Sequence, residues 1–394
     1  MTIRKGSKLL IFVAVFFAAL PPFATDTYIP AFGKIGEYFN IQPSMVATSV
    51  STYFLGFALG MLFWGALSDR VGRKKTLILG MFLYMLSSIL CSLSSTYEML
   101  LYMRFIQGLG DSSGAIVAMA IVRDCYRGKK LITTMATLTM VFMLAPIVSP
   151  MIGSFIIYST GKWQDIFHFL TIYGIFLFGL SFFLPETLKE HKKTSSLLHN
   201  LRIYFKHIKN IPFVLCSVVA GLSFSALFSF ISSSSVLIID YFKLGYFMYC
   251  ILFALNIVGI IFVNYYIKKK ITLYNQYKFI FVGYGIAIIS LIINLIIAQH
   301  YKNIYLFVLI NTIATSGFSL INVISTSKAL NQLKEGYGSG NAVSSLIKFS
   351  LAGFASFMIS SYTSSKLMTE VPTQQIIFIL IALIIFLIVK RKLR

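Results

Sequence analysis

Acidic residues are scarce in this chain. Its 394 residues include 12 Asp and Glu but 34 Lys and Arg, and 12% of the residues are charged against 57% that are hydrophobic. Soluble globular domains carry about 25% charged residues. The mean hydropathy of +0.83 points the same way. These values exclude a soluble globular protein and indicate a membrane protein.

Cysteine and histidine are equally sparse, with four cysteines and five histidines. The cysteines are Cys91, Cys125, Cys216 and Cys250. None forms a C-x-x-C pair, so we expect reduced packing residues rather than a disulfide framework. Three histidines recur at eight-residue gaps in one basic loop, a spacing that matches no common ligand set. The sequence therefore predicts no metal and no cofactor.

The chain also lacks the motifs of ATP-driven and catalytic proteins. No G-x-x-x-x-G-K-[S/T] loop occurs, which argues against direct use of ATP. No nucleophile, base and orienting acid stand at catalytic spacing. We therefore predict that the protein is not an enzyme.

Apolar runs of about 20 residues, the length that spans a bilayer, are abundant. Backbone amides in lipid must be bonded internally, so such runs are helices, and the alternation typical of barrel strands is missing. We predict twelve spans, at residues 9–31, 45–67, 76–94, 97–121, 132–157, 164–184, 211–238, 246–266, 279–298, 303–327, 340–363 and 372–389. The first lacks a small-residue cleavage site, which indicates a retained helix rather than a signal peptide.

The basic residues are distributed unevenly between the two sides of the predicted bundle. With the N-terminus in the cytoplasm, inner segments hold 27 of the 34 Lys and Arg and outer loops hold 5, while Arg104 and Lys348 fall inside spans. Cytoplasmic loops of membrane proteins carry such an excess. We therefore expect both termini in the cytoplasm, and we attribute the positive charge to topology and the lipid bilayer rather than to a nucleic-acid partner.

A polar interruption at 185–210 divides the spans six and six. We expect an N-terminal six-helix bundle (1–184), a cytoplasmic linker (185–210) and a C-terminal six-helix bundle (211–394), as in duplicated transporters whose site lies between the halves. The linker is predicted to form an amphipathic helix with its cations on other faces. Its apolar face would hold Leu197, Leu201, Phe205, Ile208 and Ile211. It either lies on the membrane or forms a regulatory binding site.

The stretch G-A-L-S-D-R-V-G-R-K-K at 65–75 concentrates charge between two spans. Gly65 allows close helix approach, Gly72 permits a tight turn, and Asp69 stands at a helix end. An ordinary basic loop would explain the cations but not the Gly–Asp–Gly frame. The stretch resembles the signature loop between helices 2 and 3 of the major facilitator superfamily. The matching residues are Gly65, Asp69, Arg70, Gly72, Arg73 and Lys74.

That resemblance implies a conformational latch, in which charge pairs between helix ends hold the outward-facing state. It also implies that Arg73 pairs with Asp124 at the inner end of the fourth helix.

Further motifs extend the resemblance. The fourth and fifth helices resemble those of the superfamily's proton-coupled exporters at Arg104, Gln107, Gly108, Gly110, Pro146, Pro150 and Gly153. In the first helix, Asp26, Tyr28 and Pro30 form the D-x-Y-x-P pattern of its Bcr/CflA drug-resistance exporters. The implied fold is an all-α membrane protein of twelve transmembrane helices in two six-helix bundles.

Three charged residues inside spans are candidate site residues, because ionisable groups in a membrane are costly. Asp26 and Arg104 are predicted at similar depth, so Asp26 is either a proton or substrate site or the partner of Arg104 in a structural ion pair. Asp111 lies on the same face as Arg104 and is either a second acidic site or the acceptor of a neighbouring hydroxyl.

Lys348 is a fourth charged residue inside a span. It either extends toward the inner surface or is a possible cavity cation. In the second case it would favour anionic or zwitterionic substrates.

The sequence thus predicts a monomeric exporter of drugs or other amphipathic small molecules in exchange for protons, working by alternating access in the bacterial inner membrane. A dedicated exporter of one endogenous metabolite or siderophore remains an alternative. A proton-coupled importer and a transport-inactive membrane sensor are further alternatives.

Overall fold

The computed structural model describes residues 3, 4, 6–188, 197–270, 276–333 and 336–392. Within these ranges the regular secondary structure is helical, and no strand is present. Part of the predicted linker, 189–196, lies outside the described residues, as do the side chains of Leu197 and Leu201.

Fourteen α-helices are present in the described ranges. They are α1 (Lys8–Asp26), α2 (Phe32–Phe39), α3 (Ala47–Val71), α4 (Arg73–Ser92), α5 (Tyr97–Cys125), α6 (Gly128–Thr160), α7 (Gln164–Phe183), α8 (Leu197–Lys209), α9 (Ile211–Ser235), α10 (Tyr246–Lys270), α11 (Gln276–Ile296), α12 (Ile304–Leu330), α13 (Tyr337–Ser360) and α14 (Leu367–Lys392). Short 3-10 turns precede α2 and α3, and α9 and α11 each continue into a π-helical turn.

Eleven helical segments of the described chain are long and apolar enough to cross a membrane. The remaining predicted span, 132–157, lies within α6, whose apolar part among the described side chains is Leu144–Thr160. The helical membrane class is therefore confirmed. The count of twelve and the cytoplasmic termini stay predictions.

The first α-helix ends earlier than the predicted span, although the apolar helical segment continues to Phe39. The sequence predicts a helix over 9–31, whereas α1 ends at Asp26 and a 3-10 turn follows at Ile29–Ala31. Pro30 has no N–H to donate to the carbonyl of Asp26, so the α-helical ladder cannot continue there. Asp26 is therefore the last residue of α1 rather than a residue inside the helix.

The chain folds into two compact units, each built from several stretches of sequence. The first comprises Met1–Tyr28, Thr52–Lys206 and Gly338–Leu346. In it α5 packs closely on α4, α4 packs on α7, and α1 packs on α5 and α6. Small residues allow these close approaches: a Cβ on Gly110 would lie 2.6 Å from the backbone nitrogen of Tyr84. The first unit thereby brings α1, α3, α4 and α5 around one buried region.

The second unit comprises Ile29–Ser51, His207–Tyr337 and Ile347–Arg394. Helix α12 packs on α9, α10 and α11, and α14 packs on α9 and α11. Buried apolar side chains such as Phe318 and Phe386 fill its core. Gln374 donates to the hydroxyl of Ser229 at 3.0 Å, and Gln375 donates to the carbonyl of Ala226 at 2.8 Å. The division at the linker that the sequence predicts stays a prediction.

The linker helix α8 has exposed apolar side chains and one buried tyrosine. Phe205 and Ile208 are exposed, whereas Tyr204 is buried and its hydroxyl donates to the carbonyl of Leu62 at 3.3 Å. Burial, together with the carboxylate of Asp69, raises the pKa of Tyr204 to about 12. The hydroxyl therefore keeps its proton at neutral pH and remains able to make this bond.

Candidate functional site

A charge cluster, formed by Asp69, Arg73, Asp124 and Glu186, joins the ends of α3, α4 and α5. Arg73 is buried, and its Nη1 contacts Asp69 Oδ1 at 2.6 Å while its Nε contacts Asp124 Oδ2 at 3.0 Å. The Arg73–Asp124 pair confirms the contact expected from the loop motif. One guanidinium thus ties together two carboxylates from different helices.

Glu186, which follows α7, completes this cluster. Its carboxylate accepts hydrogen bonds from the backbone N–H of Arg73 at 3.0 Å and of Lys74 at 3.3 Å. These are N–H groups of the first turn of α4, which have no partner within the helix, and the negative charge also suits the helix N-terminus. Glu186 therefore caps α4.

Gly72 makes this cap possible. Its φ of 112° lies in the left-handed region that side chains rarely adopt. A Cβ at this position would also overlap the carboxylate of Glu186. The glycine of the loop motif is therefore required both for the turn and for the approach of the capping acid.

The other residues of the loop motif lie outside the charge cluster. Lys74 Nζ donates to the carbonyl of Phe182 at 2.6 Å, and Arg70 is exposed at the end of α3. A Cβ on Gly65 would lie 3.0 Å from Ile116 Cδ1 and 3.1 Å from the hydroxyl of Tyr204. Gly65 thus lies where α3, α5 and the linker helix meet.

Arg104 lies at the centre of a second group of polar side chains, in the interior of the first unit. It is fully buried, and its Nη1 donates to the carbonyl of Ala24 at 3.1 Å and to Gln107 Oε1 at 2.6 Å. Gln107 in turn donates to the hydroxyl of Ser88 at 2.7 Å. The Nε and Nη2 atoms of Arg104 have no hydrogen-bond partner among the described residues. The guanidinium is therefore held in place but has free hydrogen-bonding capacity.

Aromatic rings surround the same guanidinium. Its Cζ lies 4.5 Å from the ring centroid of Tyr53, 4.7 Å from that of Tyr28 and 5.9 Å from that of Phe167. Ring faces attract a cation over these distances. Tyr28 belongs to the D-x-Y-x-P pattern of the first span, so this pattern contributes a direct contact to Arg104.

The two buried carboxylates are Asp26 and Asp111. Asp26 Oδ1 accepts the hydroxyl of Thr25 at 2.9 Å. Asp111 Oδ2 accepts the hydroxyl of Tyr53, while Oδ1 has no partner in the described part of the chain. Tyr53 therefore contacts Arg104 through its ring and Asp111 through its hydroxyl. We refer to Asp26, Tyr53, Arg104 and Asp111 as the Arg104 cluster.

The ion pair between Asp26 and Arg104, one alternative from the sequence, is not formed. Arg104 instead contacts the carbonyl of Ala24, two residues before Asp26. Counting residues from the helix ends predicts that Asp26 and Arg104 lie at a similar depth in the membrane. It does not show which atoms of α1 face Arg104. For Asp111, the hydroxyl contact expected as an alternative is present.

Motif glycines bring the neighbouring backbones close to this cluster. A Cβ on Gly108 would overlap the carbonyl of Tyr53, and a Cβ on Gly153 would overlap the carbonyl of Thr27. Pro146 and Pro150 both lie inside α6, about two turns and one turn from Gly153 along the helix, respectively. The end of α1, which carries Asp26, therefore rests directly on α6.

Lys348 belongs to the second unit. Its Nζ is 4.9 Å from the ring centroid of Phe224 and 5.1 Å from that of Phe349. No group of three His, Cys, Asp or Glu side chains suited to a metal ion occurs among the described residues.

The sequence profile of the Major Facilitator Superfamily matches residues 11–356. The chain belongs to that superfamily. It is therefore a transporter that carries small molecules across a membrane, and not an enzyme.

Several curated bacterial proteins are similar to this member of the superfamily. A bicyclomycin resistance protein homologue of Haemophilus influenzae is 29% identical over 277 residues, which are 69% of each chain. The multidrug resistance protein MdtL of Escherichia coli is 30% identical over 56% of each chain. An uncharacterised transporter of Rickettsia bellii is 28% identical over 88% of each chain.

Solved structures of the superfamily share the fold. A D-xylose–proton symporter matches with a TM-score of 0.72 at 15% identity, over 96% of this chain and 97% of the other. A bacterial homologue of the human lysosomal transporter Spinster matches with a TM-score of 0.71 at 13% identity, over 98% of each chain.

The sequence motifs of the superfamily identified Arg73 in the charge cluster and Arg104 in the Arg104 cluster. They did not identify all of the residues that these two side chains contact. The sequence places Glu186 only in a basic linker, although its position directly after an apolar run is a usable signal for a helix cap. Tyr53 and Phe167 carry no signal, because aromatic residues make up 15% of the chain.

Proposed function

We propose that this transporter exports drugs or other small amphipathic molecules in exchange for protons, by alternating access, in the bacterial inner membrane and as a monomer. Membership of the superfamily supports the transport function. The names of the relatives, a bicyclomycin resistance homologue and a multidrug resistance protein, support drug-like substrates.

The observation that carries the proton coupling is the Arg104 cluster. It holds a fully buried cation that contacts the carbonyl of Ala24, two residues before Asp26, and the ring of Tyr53, whose hydroxyl donates to Asp111. Arg104 forms no ion pair with either carboxylate. The charge of a buried carboxylate depends on water and on nearby cations. A conformational step that hydrates the cluster or moves Arg104 will therefore bind or release a proton at Asp26 or Asp111. Substrate and proton then compete for the same charged groups, which results in exchange.

The charge cluster at the helix ends supports a second part of the proposal, the conformational latch. Arg73 contacts two carboxylates and Glu186 caps α4, so separation of these helix ends breaks several charged hydrogen bonds at once. Hydrogen bonds to charged groups are each worth roughly 1.5–3 kcal/mol. We propose that this network holds the transporter in one of its states until substrate or proton binding compensates for the loss.

The proton coupling can be tested in inverted membrane vesicles with an imposed proton gradient and a fluorescent pH reporter. Chloramphenicol, a fluoroquinolone and a cationic dye are added to wild type, Asp26→Asn, Asp111→Asn and the control Asp165→Asn. Asp165 pairs with His168 near the surface. We expect at least one compound to dissipate the gradient in wild type and in the control, but not in Asp26→Asn.

Wild-type activity in Asp26→Asn together with a loss in Asp111→Asn would move the proton site to Asp111. Wild-type activity in both variants would contradict proton coupling through this cluster. If no compound moves protons in wild type, the drug-export proposal is wrong and a dedicated exporter of one endogenous compound becomes the better proposal.

A further inference from the structure

Lys348 lies at the middle of a membrane-spanning helix. It is the twelfth of the 24 residues of α13, roughly 17 Å from either end at 1.5 Å per residue. Its Nζ lies over the ring of Phe224, which is also near the middle of its helix, α9. The ammonium is therefore held at mid-depth and does not extend toward a helix end. This position differs from the alternative in which Lys348 extends toward the inner surface.

Lys348 also points away from the exposed apolar face of α13. The large exposed side chains of this helix beyond its first turn are Phe354 and Phe357. At 3.6 residues per turn they lie about 120° and 180° around the helix from Lys348. The side chain of Lys348 is partly buried, and it does not lie on the face that an apolar solvent would cover.

No carboxylate in this half of the chain is placed to neutralise the ammonium. Residues 207–394 contain three acidic residues, Asp240, Glu335 and Glu370. Asp240 lies in the turn that follows α9, Glu370 lies in the first turn of α14, and Glu335 lies outside the described residues in the connection that precedes α13. Among the described residues Lys348 forms no ion pair and no hydrogen bond.

Two phenylalanine rings face this cation. The rings of Phe224 and Phe349 lie edge to face, 5.6 Å apart. They attract the charge but accept no conventional hydrogen bond, so the three N–H donors of the ammonium remain unused within the described part of the chain. Polar groups inside a membrane are costly and mark substrate or ion sites by default. The ammonium of Lys348, whose N–H donors are unused, thus lies directly beside the apolar rings of Phe224 and Phe349.

We propose that Lys348 binds an anionic group of the transported molecule, while Phe224 and Phe349 contact its apolar part. The substrate class is therefore an amphipathic organic anion or zwitterion, with a carboxylate as the typical group. This inference rests on the proposed transport function, and it names the chemistry that the second unit recognises.

Equilibrium binding to the purified full-length protein tests the inference without requiring proton coupling. The probes are nalidixic acid, which is anionic at pH 7.5, and its neutral methyl ester, with chloramphenicol as a neutral reference. The variants are Lys348→Gln, which removes the charge, and Lys348→Arg, which retains it. Thermal unfolding of each variant checks that the fold is intact.

We expect wild type to bind the acid more tightly than the ester. Lys348→Gln should weaken binding of the acid about tenfold, since a charged hydrogen bond is lost, and should leave the ester unchanged. Lys348→Arg should restore most of the preference. An equal loss for acid and ester, or a wild type with no preference for the acid, would overturn the inference.

Failure of the two proposals can be distinguished. If the acid binds through Lys348 but moves no protons in vesicles, the substrate class stands and proton exchange is wrong. If compounds exchange with protons but acid and ester bind alike in Lys348→Gln and wild type, export stands and the role of Lys348 is wrong.

Discussion

Tyr53 contacts both the guanidinium and one of the carboxyl groups of the Arg104 cluster. Its ring faces Arg104 at 4.5 Å and its hydroxyl donates to Asp111. A single side chain therefore contacts the guanidinium of Arg104 and the carboxyl group of Asp111, which form no ion pair with each other. The hydroxyl contact with Asp111 can therefore be removed by substitution while the ring contact with Arg104 is kept.

Tyr53→Phe should remove only the first of these two contacts. Asp111 then loses the hydroxyl that donates to its carboxylate, and a buried unsatisfied polar group costs about 1–3 kcal/mol. We expect a lower unfolding temperature for the purified protein, and we expect Asp111→Leu in the same background to recover part of the loss.

The matched control is Tyr102→Phe, because Tyr102 is exposed on the same helix as Arg104. This control should unfold like wild type. A Tyr53→Phe variant that is as stable as wild type would show that Asp111 finds another donor or is not ionised.

At the scale of helices, the turn between α3 and α4 is constrained both by its backbone conformation and by the carboxylate packed against it. Gly72→Ala would introduce a Cβ at φ 112° that overlaps the carboxylate of Glu186. We expect a loss of about 1–3 kcal/mol from the strained backbone, measured as the free energy of unfolding. Glu186→Gln should cost less, about 0.3–1 kcal/mol, because it removes only the charge at the helix N-terminus.

Gly179→Ala provides the control for this pair. Gly179 lies inside α7, and a Cβ there would meet nothing within 4 Å. Alanine is favoured over glycine in a helix by roughly 0.5–1 kcal/mol, so this variant should be as stable as wild type or more stable. A Gly72→Ala variant as stable as Gly179→Ala would contradict the role of Gly72.

The contrast between Arg73 and Asp26 shows what can be predicted from the sequence. Arg73 and Asp124 stand at helix ends in a recognisable motif, and their predicted contact is confirmed at 3.0 Å. The ion pair of Asp26 with Arg104, one of two alternatives that the sequence leaves open, is not formed, because distance along a helix does not determine which atoms of two helices face each other. Pro30 also ends α1 earlier than its apolar run does.

Glu186 illustrates a different limit. Its role depends on the end of α7 returning to the start of α4, about 110 positions earlier in the chain. Hydrophobic periodicity locates helices but does not specify which helix ends meet. The apolar runs therefore predicted the helices well, whereas the partners of the site residues emerged only from the three-dimensional structure.

At the scale of the whole molecule, the distribution of cations makes a prediction about topology. Single cysteines can replace Lys129, Lys162 and Lys302 after removal of the four native cysteines, which form no disulfide. An impermeant thiol reagent should label positions 162 and 302 in intact cells, and position 129 only after permeabilisation. The three side chains are exposed, so accessibility does not limit labelling. The reverse pattern would place the termini outside.

The contact between Gly153 and the carbonyl of Thr27 joins two main chains without an intervening side chain. Side chains can change rotamer and absorb a shift of a neighbouring helix, whereas packed backbones cannot. We therefore expect a tilt of α6 near its prolines to displace the end of α1, and the carboxylate of Asp26 with it. Substitutions of side chains elsewhere on these two helices should leave this contact intact, because it is formed by main-chain atoms.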